Sequence, residues 1–334
     1  MASLRPVDGT PAEILALLRE WDAAATEPPP LAVETSGSTG APKRVLLSRA
    51  AMRASADATH ERLGGPGQWL LTLPPAYVAG LQVLFRSVRA GTEPVVVDGP
   101  LGDAAARMTG GRRYVSVVPT QLTRLLGTSA LDGFDAVLVG GARLEPSLRE
   151  AADAAGVRVV TTYGMSETCG GCVYDGRPLD GVEVRVGQDE RIRIGGAVLF
   201  DGYAGAPAGT GLEDGWFVTQ DRGRLDDDGR LHVLGRVDDV VISGGVNVTA
   251  SAVADRLRAH AAVTEAEVLG VEDPEWGQRV VAVVVGRLGL DEARDWVSVA
   301  LPRTWAPRQV VHVDAIPLLG NGKLDRLALE RLAR

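Results

Sequence analysis

Between about residues 30 and 165, short apolar runs alternate with longer stretches in which apolar and polar residues repeat at helical spacing. The runs are rich in Val and Leu and bounded by Gly, Pro or Asp, so they predict buried strands with helices between them. This alternation is typical of βαβ units and a mostly parallel sheet. The predicted strands are at 69–73, 94–99, 114–119, 135–141 and 157–164, and the predicted helices at 79–91, 101–108, 121–126 and 145–156. Thr120 is expected to cap the third of these helices.

The pattern changes after residue 177. Short alternating segments follow, joined by turns such as "DDDGR" at 226–230, and they predict antiparallel hairpins or a small barrel. From residue 235 onward helices and strands are mixed again. The sequence therefore predicts an α/β fold with two domains. A large N-terminal domain at 1–234 contains a mostly parallel sheet (about 30–177) and a small antiparallel β subdomain (about 178–234), and a small mobile α+β C-terminal domain follows at 235–334.

Composition and charge narrow the possible functions. The chain has 334 residues, 45% of them hydrophobic, and its formal net charge of −8 comes without a basic run or many aromatic residues. This argues against a nucleic-acid partner. No apolar run reaches the roughly 18 residues of a membrane span, and the first 30 residues lack the pattern of a signal peptide. Two cysteines fit a reducing cytoplasm.

Lysine is almost absent from the chain. Of the 35 cationic side chains, two are lysines, Lys43 and Lys323, and the remaining 33 are Arg. Lys43 ends the stretch "TSGSTGAPK" (35–43), where glycines let backbone N–H groups converge on phosphate oxygens and hydroxyl groups add donors. The spacing is not that of a Walker A loop. A flexible surface loop is the alternative interpretation.

Polar residues also follow two predicted strands, in "VGGARL" (139–144) and "TTYGMSET" (161–168). Ligands of open α/β sheets bind beyond the carboxyl ends of the strands. Tyr163 of the second segment offers a ring face to a nucleotide base, and Glu167 offers a hard oxygen ligand to Mg²⁺. Asp221 of "GWFVTQD" offers a carboxylate to ribose hydroxyls, with Arg236 of "GRVDD" nearby.

The order "TSGSTGAPK", "VGGA", "YGMSET", "GWFVTQD", "GRVDD" and "PLLGNGKLDR" (317–326) resembles the adenylate-forming superfamily of acyl-CoA synthetases, adenylation domains and luciferases. The resemblance implies an enzyme that forms an acyl-adenylate from a carboxylic acid and ATP, with Mg²⁺, and then passes the acyl group to a thiol such as coenzyme A. The chain departs from the family pattern in three ways. It lacks most of the usual N-terminal subdomain, Gln220 stands where the family has Gly, and Ser166 replaces Thr.

The resemblance implies a role for each matching residue. Lys43 guides the pyrophosphate leaving group, and Lys323 bridges the attacking carboxylate and the α-phosphate, which suits a mobile point charge. Ser166 contacts the α-phosphate, Glu167 holds Mg²⁺, and Asp238 is the hinge of the C-terminal domain. The other implied nucleotide contacts are Thr35, Ser36, Gly37, Ser38, Thr39 and Gly40 at the β- and γ-phosphates, Gly141, Ala142, Tyr163 and Gly164 at the adenine, and Asp221 and Arg236 at the ribose. The acyl group is expected beside Tyr77, Gly80, Met165, Gly170 and Gly171, and the pantetheine arm of coenzyme A beside Gly244 and Gly245.

Cysteine and histidine do not predict a metal site. Cys169 and Cys172 have CxxC spacing without a second pair, so they are expected in the wall of the acyl pocket rather than in a zinc or redox site. The histidines show no ligand spacing and are expected at surface or hairpin positions. They are His60, His232, His260 and His312.

Within the superfamily, "LPPAYVAGLQVL" and "YGMSETCGGCVYDGRPLDGV" resemble the o-succinylbenzoate–CoA ligases of actinobacterial type, which act in menaquinone biosynthesis. Another small aryl or acyl acid–CoA ligase is the first alternative, and a stand-alone amino-acid adenylation domain is a further one. A catalytically inactive nucleotide-binding regulator is the alternative from another class, and the retained Lys43, Glu167, Asp221 and Lys323 argue against it. A cytoplasmic location is expected, and a homodimer is left open.

Overall fold

The computed structural model describes residues 5–35, 43–207, 209–319 and 324–334, apart from the side chains of Arg5 and Asp238. By its internal contacts the chain divides into two units. The first comprises Met1–Arg185, Arg193–Val218 and Leu225–Leu231, and the second comprises Val186–Ile192, Thr219–Arg224 and His232–Arg334. The domain boundary at residue 235 stays a prediction.

A seven-stranded sheet forms the centre of the first unit. In spatial order its strands are β10 (Arg177–Pro178), β9 (Gly170–Tyr174), β8 (Val159–Met165), β7 (Ala136–Val139), β6 (Arg113–Val117), β4 (Gln68–Leu71) and β5 (Val95–Val96). The five strands from β8 to β5 pair in parallel, and β9 and β10 add two antiparallel strands. The prediction of a mostly parallel sheet in an α/β fold is confirmed.

Four helices follow strands of this sheet, as the periodicity predicts: α3 (Val78–Ala90), α4 (Leu101–Ala106), α5 (Pro119–Leu125) and α6 (Pro146–Ala154). The first unit also contains α1 (Pro11–Ala23) and α2 (Arg49–Leu63). Gly91 ends α3 in the left-handed conformation, at φ 64°. The prediction that Thr120 caps α5 is wrong: Val118 is the N-cap and Pro119 opens the helix, since Pro needs no N–H partner there. Residues of β4, β6 and β7 form one buried cluster with residues of α4, α5 and α6.

A separate four-stranded sheet carries the start of the chain. Its order is β1 (Arg5–Pro6), β2 (Leu31–Thr35), β3 (Lys43–Leu47) and β13 (Gly202–Tyr203). The sequence analysis assigned the region from residue 30 to the parallel sheet. The structure differs there because β2 and β3 pair antiparallel with each other and β3 pairs with the distant β13.

The predicted antiparallel region between 178 and 234 is also present. Its strands are β11 (Val182–Val186), β12 (Arg191–Gly196), β14 (Leu212–Glu213), β15 (Trp216–Leu225) and β16 (Leu231–Arg236). The order is β11-β12-β15-β14, and β16 also pairs with β15.

The second unit contains a five-stranded sheet with helices. The strands are β17 (Val240–Ser243), β18 (Val246–Thr249), β19 (Val263–Asp273), β20 (Gly277–Gly286) and β21 (Gln309–His312), and the helices are α7 (Ala250–Arg258), α8 (Leu290–Ala300) and α9 (Arg326–Ala333). Alternate residues of β20 are buried in two different clusters, one that includes residues of α7 and α8 and one that includes residues of α9. Both faces of the strand are therefore covered, which explains its uninterrupted apolar run. In the part of the chain that the structure describes, no helix has the length and apolar character needed to cross a bilayer.

Candidate active site

The chain turns sharply at the carboxyl end of β8. Ser166–Thr168 form a single 3₁₀ turn, and Cys169 follows in the left-handed conformation at φ 51°. The buried Thr168 hydroxyl fixes this turn, because it accepts from the Met165 N–H at 3.0 Å and lies 2.8 Å from the carbonyl oxygen of Gly170. The turn therefore presents Ser166 and Glu167 at the edge where parallel strands end, as the sequence analysis expected.

Glycines allow β8 and β9 to approach each other closely. Gly164 lies opposite Gly171, and Met165 lies opposite Gly170. A Cβ atom built on Gly164 would lie 2.0 Å from the carbonyl oxygen of Gly170, so no larger residue fits there. At Gly171, a Cβ atom would lie 3.0 Å from the Tyr174 ring. Close packing of the two strands therefore requires Gly at position 164 and favours it at position 171.

The end of β7 lies beside the end of β8. Val139 pairs with Thr161, so Gly141 and Ala142 follow β7 while Tyr163 lies near the end of β8. Gly141 has φ 82°, which requires Gly, and both Gly141 and Ala142 are exposed. The structure therefore places the predicted adenine residues at the same sheet edge as Ser166.

The hairpin of β2 and β3 holds the two ends of the Gly-rich loop. Thr35 lies directly opposite Lys43, and the Thr35 hydroxyl donates to the Lys43 carbonyl oxygen at 3.3 Å. Lys43 is exposed. The predicted phosphate contacts Ser36, Gly37, Ser38, Thr39 and Gly40 lie outside the described residues.

Tyr203 joins two of the predicted nucleotide-binding residues. Its hydroxyl donates to Glu167 Oε1 at 3.0 Å, and the Lys43 ammonium lies 5.3 Å from the centre of its ring. Burial, and after it the Glu167 carboxylate, raises the pKa of Tyr203 above its ordinary value, so the hydroxyl is a donor at neutral pH. The sequence analysis missed Tyr203, because a single Tyr in a segment of Gly and Ala carries no spacing signal.

One carboxylate at this turn fits Mg²⁺ that arrives with ATP. Mg²⁺ is usually bound by one or two carboxylates together with phosphate oxygens and water. Glu167 offers its second oxygen, Oε2, for which no hydrogen bond is found among the described residues. No cluster of three or more His, Cys, Asp or Glu side chains with metal-binding geometry occurs in the described ranges, so a site made of protein ligands alone is not found there.

The predicted acyl-binding residues lie around the start of α3. Tyr77 is the N-cap residue of this helix. Gly80 is buried, and a Cβ atom on it would lie 2.3 Å from the Pro74 carbonyl oxygen, so packing alone requires Gly at this position. Gly170 faces Gln82, whose Cγ lies 3.4 Å from a Cβ atom built there. The Gln82 side chain donates to the Cys169 carbonyl oxygen at 2.8 Å.

A buried cation lies one helical turn beyond Gln82. Arg86 is 3% exposed, and no carboxylate pairs with it among the described residues. Its Nη2 donates to the Tyr174 hydroxyl at 3.3 Å, and its guanidinium lies 5.1 Å from the centre of the Trp69 ring. Its Nε has no partner within the described ranges. Burial lowers the pKa of Arg86 from its ordinary value. The sequence analysis missed Arg86, although a Gln–Arg pair four residues apart in the apolar helix "VAGLQVLFRSV" was a usable signal.

The prediction that the histidines lie at surface or hairpin positions is wrong for His60. This side chain is buried, with 7% exposed, rather than on the surface or in a hairpin, and its Nε2 has no partner in the part of the chain that the structure describes. Burial, and after it the positive charge of Arg86, lowers the pKa of His60 to about 4. Gln82, Arg86 and Trp69 are further buried side chains that, like His60, each have one polar atom without a partner among the described residues.

Cys169 and Cys172 are fully buried free thiols. Burial raises the pKa of Cys172 to about 12 and that of Cys169 also well above its ordinary value. Neither thiol is therefore ionised at neutral pH, which argues against redox or metal chemistry.

The second unit carries the predicted ribose residues. Arg236 Nη1 lies 3.5 Å from Asp221 Oδ1, and the Asp221 N–H donates to the Thr219 hydroxyl at 3.0 Å. Gln220, which replaces the family Gly, is exposed on β15. Asp221 and Arg236 are thus brought together, as the sequence predicts.

Gly244 and Gly245 form the two-residue turn between β17 and β18. Both have positive φ, 58° and 77°, so this hairpin requires Gly at both positions apart from any ligand. A Cβ atom on Gly244 would lie 2.8 Å from the Trp276 ring. The backbone of Asp238 lies in a 3₁₀ turn at Val237–Asp239, while the catalytic candidate Lys323 lies outside the described residues.

Comparison with known proteins gives consistent matches. The family model described as AMP-binding enzyme matches residues 33–201, and the model of the AMP-binding enzyme C-terminal domain matches 252–323. A probable 2-succinylbenzoate–CoA ligase of Mycobacterium tuberculosis is 47% identical over 320 residues, which cover 90% of this chain and 84% of that protein.

Two solved structures are also similar. The o-succinylbenzoate CoA synthetase of Bacillus subtilis in complex with its acyl-adenylate intermediate superposes with a TM-score of 0.79 at 29% identity, over 90% of this chain and 68% of that one. The same synthetase with ATP and magnesium ion gives a TM-score of 0.78 at 28% identity, over 90% and 69% of the two chains.

Proposed function

Because the chain belongs to the AMP-binding enzyme family, we propose that it is an ATP-dependent acid–CoA ligase whose acid is o-succinylbenzoate. In the first half-reaction, the succinyl carboxylate attacks the α-phosphorus of ATP, and pyrophosphate leaves. In the second, the CoA thiol attacks the acyl carbon, AMP leaves and a thioester forms. The similar proteins from Mycobacterium tuberculosis and Bacillus subtilis are named for this acid. The observation in this chain that supports o-succinylbenzoate as the acid is the buried guanidinium of Arg86.

A diacid needs a second site for negative charge. Adenylation consumes one carboxylate of o-succinylbenzoate, and the other stays ionised. Burial of an ionised carboxylate without a partner is costly, and so is burial of an unpaired guanidinium. Arg86 has no carboxylate partner among the described residues, and its Nε–H is unbonded. One diacid in the pocket would remove both costs at once, because the ring carboxylate and Arg86 would pair.

The position of Arg86 supports this pairing. A Cβ atom built on Gly170 would lie 3.4 Å from Gln82, which precedes Arg86 by one turn of α3. One built on Gly171 would lie 3.0 Å from the ring of Tyr174, whose hydroxyl bonds Arg86. The two glycines predicted to face the acyl group are therefore close to the residues that adjoin the buried cation.

The nucleotide roles of the first unit follow from the same edge of the sheet. We propose that Thr35 and Lys43 face the terminal phosphates, that Ser166 faces the α-phosphate and that Tyr163 stacks on the adenine. Glu167 would hold Mg²⁺, which supplies positive charge at the phosphates when bound. The further residues proposed here are Ser36, Gly37, Ser38, Thr39 and Gly40 at the phosphates and Gly141, Ala142 and Gly164 at the adenine.

The second unit would complete both half-reactions. Asp221 and Arg236 would hold the ribose, and Lys323 would bridge the attacking carboxylate and the α-phosphate during adenylation. Gly244 and Gly245 would leave room for the pantetheine arm, and rotation about Asp238 would separate the two half-reactions. We also propose a cytoplasmic location, since both cysteines are free thiols, and the homodimer stays a prediction.

A matched pair of acids tests the substrate. 4-Phenyl-4-oxobutanoate differs from o-succinylbenzoate only by the missing ring carboxylate. With ATP, Mg²⁺ and CoA, and AMP release as the measurement, we expect o-succinylbenzoate to have a kcat/KM at least ~100-fold higher, since a site built for a polar group can reject the analogue that lacks it by such factors. Comparable values would refute the diacid but leave the ligase standing.

The same assay separates the alternatives. If the enzyme does not turn over o-succinylbenzoate but does turn over a simple aryl acid, this result favours the alternative of another small acid–CoA ligase. ATP–pyrophosphate exchange that depends on an added acid would exclude the inactive nucleotide-binding regulator, and its absence with every acid would favour that regulator.

A further inference from the structure

We propose that Tyr203 is a positioning residue for both charged groups of the nucleotide site, with its hydroxyl fixing Glu167 and its ring fixing Lys43. The proposal rests on the nucleotide roles of Glu167 and Lys43 given above. It assigns to Tyr203 a part in binding ATP with Mg²⁺, although Tyr203 itself contacts neither the metal nor the reacting atoms.

The pairing of β3 with β13 brings Tyr203 and Lys43 together. Tyr203 lies opposite Val45, so Lys43, two residues before Val45, is its diagonal neighbour on the same face of the sheet. The Ala204 N–H donates to the Arg44 carbonyl oxygen at 2.9 Å and continues the pairing. The strand register therefore brings the Lys43 side chain within reach of the ring, and its ammonium lies 5.3 Å from the ring centre.

A ring is a suitable partner for a lysine that must act on phosphate. A carboxylate at the same place would attract the ammonium and neutralise it. The face of an aromatic ring attracts a cation while leaving its full positive charge available to an incoming anion. Among the described residues no carboxylate pairs with Lys43, so its charge is held in place but not cancelled.

The Tyr203 hydroxyl acts on Glu167, the second charged group of the nucleotide site. A carboxylate can only accept hydrogen bonds, so the Tyr203 O–H donates to Glu167 Oε1. This bond fixes the rotation of the carboxylate and leaves Oε2 for a cation. The main chain of Glu167 is fixed independently, because its carbonyl oxygen accepts from the Phe200 N–H at 3.0 Å. Removal of the hydroxyl would therefore free the carboxylate without moving the turn.

The surroundings of Tyr203 do not depend on its hydroxyl. Its ring packs edge-on against Phe200 at 5.0 Å between centres, and Gly211 lies so close that a Cβ atom there would be 3.0 Å from both rings. Tyr203→Phe keeps these contacts and the ring below Lys43. Tyr203→Leu removes both the hydroxyl and the ring. The two variants thus separate the two parts of the proposal.

The test is direct binding of ATP by isothermal titration calorimetry, with Mg²⁺ and with EDTA, so that it requires neither the acid nor turnover. For Tyr203→Phe we expect unchanged ATP affinity in EDTA and a roughly 10-fold smaller gain in affinity on addition of Mg²⁺, the size expected for one hydrogen bond to a charged group. For Tyr203→Leu we expect, in addition, about threefold to 10-fold weaker ATP binding in EDTA. Tyr114→Phe, which removes a hydroxyl bonded to main-chain carbonyls, is the matched control and should behave as wild type.

A double-mutant cycle excludes a merely structural role. If the hydroxyl acts through Glu167, Tyr203→Phe should have no further effect on the Mg²⁺ gain in a Glu167→Gln background. Additive losses in the cycle would overturn the proposal, and so would a wild-type Mg²⁺ gain in Tyr203→Phe. If instead the wild type binds ATP with a Mg²⁺ gain but activates no acid, the proposed ligase function fails while this result stands.

Discussion

The Tyr174 hydroxyl accepts a hydrogen bond from Arg86 Nη2 at 3.3 Å. The other hydrogen-bond partner of this hydroxyl, Thr59, fixes which of the two groups is the donor. Thr59 donates its hydroxyl proton to the Ser55 carbonyl oxygen at 2.9 Å. The Thr59 oxygen must therefore accept from Tyr174, which lies 3.1 Å away. Tyr174 has no proton left for any other partner and so presents a lone pair to Arg86. The guanidinium is thus oriented by a hydrogen-bond chain that begins in the main chain of α2.

Replacement of the buried cation should remove the preference for a diacid. We expect Arg86→Met to lower kcat/KM for o-succinylbenzoate by about 100-fold, or about 2.7 kcal/mol, because the ring carboxylate would be buried without its partner. The value for 4-phenyl-4-oxobutanoate should change by less than about threefold. Arg86→Lys keeps the charge but loses the planar fork, and an intermediate loss is expected. Equal losses for the two acids would contradict the pairing with the second carboxylate.

The hydrogen-bond chain itself is testable. Tyr174→Phe removes the acceptor of Arg86 Nη2, and we expect about a 10-fold rise in KM for o-succinylbenzoate with little change in kcat or in KM for ATP. Thr59→Val cuts the chain one step further from Arg86 and should have a smaller effect. Steady-state kinetics with each substrate varied in turn provides the measurement. A larger effect on ATP than on the acid would mean that Tyr174 acts elsewhere.

His60 should make the fold sensitive to acid. Its pKa of about 4 in the folded state is below the ordinary value of 6.5. The unfolded chain therefore binds this proton first, and the free energy of unfolding falls as pH is lowered from 6.5 to 4. We expect the contribution to be up to about 2 kcal/mol after screening by solvent.

His60→Leu provides the check on this dependence. Urea unfolding at several pH values should give a shallower loss of stability for the variant than for wild type in that window. The charged groups that act on His60, which are Asp57, Arg86 and Arg89, stay in place in this comparison. Parallel curves for the two proteins would show that His60 is not the titrating group.

The two cysteines should be inert in the folded protein. Both are buried, and burial raises the pKa of each thiol, that of Cys172 to about 12. At pH 8 almost no thiolate is present, so iodoacetamide should leave both residues unmodified. In guanidinium chloride we expect two modified cysteines per chain by mass spectrometry. Rapid modification of Cys169 or Cys172 in the folded protein would instead indicate that the packing around β9 opens and exposes the thiols.

The close approach of β8 and β9 predicts a severe steric effect. Gly164→Ala would place a methyl group 2.0 Å from the Gly170 carbonyl oxygen, which is main chain and cannot rotate away. We expect a loss of more than about 2 kcal/mol in the free energy of unfolding. Gly99→Ala is the control, since nothing lies within 4 Å of its Cβ position, and it should stay within about 0.5 kcal/mol of wild type. Similar unfolding midpoints for both variants would refute the close contact.

The sequence predicts the parallel sheet well because its strands are covered on both faces. β4 and β7 are wholly buried and therefore read as uninterrupted apolar runs. The four-stranded sheet of β1, β2, β3 and β13 could not be predicted in this way. β13 has two residues, and its pairing with β3 closes a loop of more than 150 residues, so no local pattern records it. Tyr203 was missed for this reason.

The residues of the candidate site also differ in how well the sequence predicts them. Ser166 and Glu167 are recognisable because they directly follow a predicted strand that ends in a Gly-containing segment, and that local order is preserved in the turn. Arg86 and His60 are polar side chains inside helices. For His60 the sequence gives no reason to prefer the interior to the surface, whereas the apolar helix around Gln82 and Arg86 is a weak signal of burial. The partners of Arg86 are Tyr174 of β9 and Trp69 of β4, and both are distant in the chain or on another strand, so no local pattern records them.

The charge of Arg86, with which no carboxylate pairs among the described residues, would also give the proposed acyl pocket a direction. An acid with a single carboxylate gains most by turning that carboxylate toward the guanidinium, and its apolar end then faces the nucleotide. Such a molecule occupies the pocket with nothing to react. Simple aryl acids would then act as competitive inhibitors that bind in reverse, and the enzyme would select its substrate by the number of ends that carry charge rather than by size.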